Sequence, residues 1–139
     1  MTRGLLDTST VLLLPRLERT QATLPDEAYI STITLAEIAA GPHLASDDAV
    51  RGARLAEVQQ AEADFDAIPF DAPAARAFGL VAGDIRRSGR KPRGRALDAM
   101  IAAIAIANDL PLYTCNPSDF AGIDGLEVVA VAHPGVAGR

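Results

Sequence analysis

The alternation of short apolar stretches with helical stretches constrains this chain more than any other feature. Arg3 to Asp7 (RGLLD), Ala28 to Ser31 (AYIS), Phe65 to Phe70, Leu112 to Thr114 and Leu126 to Val131 read as strands. Helical signals fill most of the gaps. Thr8, Ser9 and Thr10 are good N-caps ahead of Val11 to Leu17, and Thr32 to Ala40 stops at Gly41-Pro42. A charged helix is expected from about Asp47 to Ala63, and another, opened by Asp71 and Pro73, reaches about Ser88. Ala96 to Asn108 is apolar nearly all round, which predicts a helix buried on several sides. Short strands joined through helices pair in parallel, because parallel neighbours need a crossover. The expected fold is therefore α/β: a three-layer α/β/α domain with a central, mostly parallel sheet.

At 139 residues, with no repeat and no long linker, the expectation is a single domain over 1–139 with a loose tail at Gly135 to Arg139. Hydrophobic residues make up 49% and charged residues 22%, which supplies a core and excludes an intrinsically disordered chain. The longest apolar run, Ala99 to Ala107, is nine residues, far short of the roughly 20 a spanning helix needs. Residues Met1 to Thr10 hold no charged leader with a long apolar stretch, and the lone Cys115 has no disulfide partner, so a cytoplasmic location is expected. A net charge of −5 argues against nucleic-acid binding by bulk charge, and 4% aromatic content provides no base-stacking platform.

Four acids stand out by position. In open parallel sheets ligands bind at the carboxyl ends of strands. Asp7 ends the first strand, and Asp119 lies in the turn-rich loop after Leu112 to Thr114. Glu37 and Asp98 sit on apolar helices, where a carboxylate needs a partner. Each has a structural alternative taken singly: Asp7 as a helix cap, Glu37 closing a Thr34-x-x-Glu37 capping box, Asp98 in a first turn, Asp119 in an Asx-turn. Taken together they point to a cation, since two like charges about 4 Å apart repel by roughly 4 kcal/mol at an effective dielectric near 20. Mg²⁺ suits such a set, because it prefers oxygen ligands and binds only one or two carboxylates directly.

The motifs Leu5-Leu6-Asp7-Thr8-Ser9, Ser31-Thr32-Ile33-Thr34-Leu35-Ala36-Glu37-Ile38, Asp98-Ala99-Met100-Ile101-Ala102-Ala103 and Thr114-Cys115-Asn116-Pro117-Ser118-Asp119-Phe120 resemble, in order and nearly end to end, the PIN-domain ribonucleases, in particular the VapC-type toxins of toxin–antitoxin pairs. The resemblance implies that Asp7, Glu37, Asp98 and Asp119 are the catalytic and metal-holding residues, with Thr8, Ser9, Thr114 and Asn116 in support. It further implies a Mg²⁺- or Mn²⁺-dependent endoribonuclease that hydrolyses RNA phosphodiester bonds with an activated water, leaving a 5′-phosphate and a 3′-hydroxyl. A homodimer and a cognate antitoxin are implied as well; the apolar stretch Val11 to Leu17 reads as core, and the resemblance suggests that nearby helices build a groove for the antitoxin or for the dimer contact. Cys115 departs from the family, which often has a basic residue there.

Arg86, Arg87, Arg90, Lys91, Arg93 and Arg95 are six of the 13 basic residues, gathered just before the Asp98 helix. They are candidates for RNA binding, and six phosphate contacts would give a slope of log K against log salt of about −0.7 × 6 ≈ −4. His43 and His133 fit no zinc or Ser-His-Asp pattern, and Cys115 has no partnering histidine. Two other functions remain open at this level. One is a non-catalytic, metal-holding module that acts through an antitoxin–DNA complex. The other is a phospho-acceptor domain, which is disfavoured because the only lysine, Lys91, lies in the basic loop rather than near the last strands.

Overall fold

A computed structural model describes residues 1–137. Five strands form one sheet: β1 (Arg3–Leu6), β2 (Glu27–Ser31), β3 (Ala67–Ile68), β4 (Leu112–Thr114) and β5 (Val128–Ala130). Their order is β3-β2-β1-β4-β5, and all four pairings are parallel. The helices are α1 (Thr8–Leu17), α2 (Thr32–Ala40), α3 (Asp48–Asp64), α4 (Ala72–Arg87), α5 (Ala96–Ala107) and α6 (Pro134–Ala137), with 3₁₀ turns at Gly41–Leu44, Pro92–Arg95 and Pro117–Phe120.

Strand periodicity sorts the core into two layers. Leu5 packs with Val81 and Ile85 of α4 and Ile101 and Ile104 of α5. Its neighbour Leu6 points the other way, to Val11 and Leu17 of α1, Ile38 of α2 and Ala61 of α3. Helix α5 is buried on several sides, as its composition implies: Ala102, Ala103 and Ala105 are fully buried. Small side chains let it sit close to both the sheet and α4. Gly4 has a comparable role in β1, because a Cβ there would collide with the Tyr113 ring that covers it.

Several expectations need correction. The strands expected at Phe65 to Phe70 and Leu126 to Val131 shorten to Ala67–Ile68 and Val128–Ala130. Asp7, rather than Thr8, Ser9 or Thr10, caps α1. Ser31 caps α2 by accepting from the Thr34 amide, so Thr34 and Glu37 form no capping box. Of the expected tail, Pro134 to Ala137 is a helical turn, and Gly138 and Arg139 lie outside the described residues. Among the described residues no helix is long and apolar enough to cross a membrane.

The topology positions the functional residues. From β1 the chain moves through β2 to β3 on one side and later fills β4 and β5 on the other, so the order reverses between β1 and β4. Asp7 follows β1 and Asp119 lies in the turn after β4. Both thus stand at the carboxyl edge beside the reversal, where open α/β sheets place their ligands.

Candidate active site

Asp7 is the most firmly held of the four acids. It is 5% exposed. Its Oδ1 accepts the Thr10 amide at 3.1 Å and the Thr10 hydroxyl, while Oδ2 accepts the Thr114 hydroxyl at 2.7 Å. One carboxylate therefore caps α1 and ties that helix to β4. More bonds run alongside it: Cys115 N donates to Thr10 Oγ1 (3.1 Å), Asn116 N to Thr114 Oγ1 (2.9 Å) and Asn116 Nδ2 to Ser9 Oγ (3.0 Å).

Glu37 is half-buried on α2, and its Oε1 accepts the Thr8 hydroxyl at 2.7 Å. Thr34 Oγ1 lies 3.0 Å from Thr8 Oγ1. A hydroxyl carries one proton, so while Thr8 donates to Glu37 it accepts from Thr34. The α1 and α2 N-termini are thereby linked through hydroxyls, with Glu37 at the end of the chain.

Asp98 lies in the first turn of α5, as expected from the helix dipole. Its carboxyl is pushed up to about 6, first by burial and then by the charges of Asp119, Glu37 and Asp7, with only Arg95 opposing. Asp119, on the 3₁₀ turn after β4, pairs with Arg95 at 3.1 Å and so does not adopt the Asx-turn role. The charges of Asp119, Glu37 and Asp7 thus all act on the Asp98 carboxyl. Among the described residues no three His, Cys, Asp or Glu side chains lie close enough together to hold a metal ion as they stand. The four acids offer only hard oxygen donors, the kind that Mg²⁺ and Mn²⁺ prefer.

The basic stretch divides in two. Arg87 bonds to Asp84, Arg90 reaches the Ser118 and Asp119 carbonyls, and Arg95 pairs with Asp119. Arg86, Lys91 and Arg93 are exposed. His43 and His133 are exposed too, and His133 accepts the Gly135 amide. Burial pushes the Cys115 thiol up, which is the wrong direction for a nucleophile.

Thr10, Thr34 and Ser31 support the site although the sequence reading gave them no such part. All three are buried, polar and bonded to one another or to the acids. The signal was present in Thr8-Ser9-Thr10 and Ser31-Thr32-Ile33-Thr34, where hydroxyls recur immediately after strand ends. A separate groove of about 470 Å³ runs between α1 and α3, floored by Val11, Leu14, Ile38 and Ala61 and rimmed by Glu18, Glu57 and Asp64.

The profile of the PIN-domain family matches residues 5–126. The chain belongs to the PIN-domain family. Ribonuclease VapC5 of Mycobacterium tuberculosis is 34% identical to this PIN domain over 129 residues, covering 92% of this chain and 93% of the relative. Ribonuclease VapC of Rickettsia bellii is 32% identical over 106 residues, covering 76% and 78%. Among solved structures, the VapBC-family toxin–antitoxin member VapBC-5 from Mycobacterium tuberculosis superposes on this PIN domain with a TM-score of 0.76 at 29% identity, covering 94% of this chain and 99% of that one. FitAcB from Neisseria gonorrhoeae gives 0.69 at 26% identity, covering 94% and 97%.

Proposed function

We infer that the chain is a ribonuclease, the toxin of a toxin–antitoxin pair, and we propose that it is a Mg²⁺- or Mn²⁺-dependent endoribonuclease built as one domain over residues 1–139. What supports this reading is that Asp7 and Asp119 both stand at the carboxyl edge beside the sheet's reversal, and that the charges of Asp119, Glu37 and Asp7 all act on Asp98. The ribonuclease names of the relatives and the toxin–antitoxin neighbours support it.

In this reading the four carboxylates hold the metal. A divalent ion bound there supplies Lewis acidity toward the phosphodiester and lowers the pKa of a water. Thr10 and Thr114 fix the Asp7 carboxylate, and Thr8 orients Glu37. Ser9 and Asn116 keep the α1 N-terminus in register with the loop after β4. Arg95, partly exposed and paired with Asp119, stands beside the acids where it would meet a phosphate of bound RNA. Arg86, Lys91 and Arg93 form the outer RNA-binding rim, with Arg87 and Arg90 committed to internal partners. The three rim cations and Arg95, four in all, give an expected slope of log K against log salt of about −0.7 × 4 ≈ −3.

The groove between α1 and α3 is the proposed antitoxin seat: an apolar floor with an acidic rim fits an amphipathic segment carrying basic residues. A cytoplasmic homodimer completes the proposal. Its test is cleavage of total RNA by partner-free protein with Mg²⁺, with Mn²⁺ or with chelator, beside Asp98→Asn. Cutting by the wild type alone, with metal alone, supports the reading. Metal binding without cleavage by folded wild type favours the non-catalytic partner module.

A further inference from the structure

Asp84 is a buried carboxylate, 8% exposed, that stands apart from the four acids. It lies near the end of α4, where its Oδ2 accepts the Asp124 amide at 3.0 Å and its Oδ1 accepts Arg87. Two turns of chain further on, Arg90 Nη2 donates to Ser118 O at 2.8 Å, and Nη1 lies 3.5 Å from Asp119 O. One helix end thus grips both ends of the segment that carries Asp119.

The cap of α4 explains why Arg90 points there. Gly89 N donates to Arg86 O (3.0 Å) and Arg90 N to Ile85 O (3.2 Å), the paired bonds of a Schellman cap. Gly89 has φ +86°, the left-handed conformation such a cap requires, and this turns Arg90 back toward the loop. The loop approaches closely: a Cβ on Gly122 would lie 3.1 Å from Ser88 Cβ. Phe120 and Ile123 are buried against the same core as Ile85, which anchors the loop without orienting its carboxylate.

We propose that Asp84 and Arg90 are positioning residues that clamp the segment 118–124 to the end of α4 and so aim Asp119 at the space shared with Asp98. The inference rests on the metal-site reading above. It reassigns Arg90, whose guanidinium is spent on backbone carbonyls, from RNA contact to loop geometry. Groups that orient metal ligands from behind typically change metal affinity by about ten- to a hundredfold when lost.

The test compares wild type with Arg90→Ala, Arg90→Lys, Asp84→Ala and Asp84→Asn, using Mn²⁺ calorimetry and amide hydrogen exchange on the free protein. Arg90→Ala and Asp84→Ala should weaken Mn²⁺ binding about tenfold and speed exchange at residues 119–124, leaving β1 and α1 at wild-type rates. The Lys and Asn variants, which keep a donor or an acceptor, should recover part of both. A general loss of stability would raise exchange everywhere without this local pattern. Folded Arg90→Ala with wild-type Mn²⁺ affinity and wild-type loop exchange overturns the clamp, and this surface variant decides the matter if Asp84→Ala does not fold. Absence of Mn²⁺ binding by the wild type overturns the metal reading instead, and the exchange data then judge the clamp alone.

Discussion

The two sides of the acidic site are built differently. On the Asp7 side, the carboxylate is buried and bonded both to Thr10 of α1 and to Thr114 of β4, the latter 107 residues away from Asp7 in sequence. On the Asp98 and Asp119 side, the acids are partly exposed, and Asp119 is restrained by arginines from an exposed basic loop. Folding therefore completes the first half, because Asp7 is also a helix cap and a bridge between strands. In the second half Arg95 pairs with Asp119 and is the one cation that opposes the acidic charges acting on Asp98, so negative charge there is only partly balanced.

Substitutions at the two halves should thus separate stability from charge. The largest effect is expected for Asp7→Ala, which removes the α1 cap and strands the Thr114 hydroxyl; a loss of about 2–3 kcal/mol is expected in urea unfolding. A cost under about 0.5 kcal/mol would mean that the Asp7 side is no more structural than the other. Thr114→Val keeps the shape while removing one donor to Asp7, and about 1–2 kcal/mol should be lost in the same assay.

Asp98 should behave in the opposite sense. Its folded pKa of about 6 lies above the ordinary 3.8, so the folded protein holds more protons than the unfolded chain between those values. With chelator present, the Asp98 contribution to stability is greatest below about pH 4 and is lost as pH rises through about 6. Asp98→Asn should therefore be more stable than wild type at pH 7 and lose that advantage near pH 4, as unfolding midpoints at the two pH values will tell. A midpoint below wild type at pH 7 would place Asp98 among the structural acids with Asp7. The smallest effect is expected for Arg95→Gln: a partly exposed ion pair is worth about 0–1 kcal/mol, and salt should erase the difference.

The parallel sheet was legible because strand and helix periodicities alternate along the chain, and Asp7 and Asp119 were legible because they follow strands. Strand ends were less so: Phe65 and Phe70 have strand-like side chains, but only Ala67 and Ile68 reach the β2 edge. Glu37 and Asp98 were visible as acids on apolar helices, whereas the hydroxyl chain from Ser31 through Thr34 to Thr8 was not, since it depends on two helix N-termini meeting in space. The partners of the basic cluster were hidden for the same reason. Six clustered cations read as one surface, yet Arg87 and Arg90 fold back onto Asp84 and the Ser118 carbonyl.

On the function proposed above, four carboxylates from distant parts of the chain act as one site. Mn²⁺ calorimetry on wild type, Asp7→Asn, Glu37→Gln, Asp98→Asn and Asp119→Asn tests it most directly. A shared site predicts saturable binding by the wild type and weaker binding by all four folded variants. Wild-type affinity in any two of them, or no binding by the wild type at all, would contradict it.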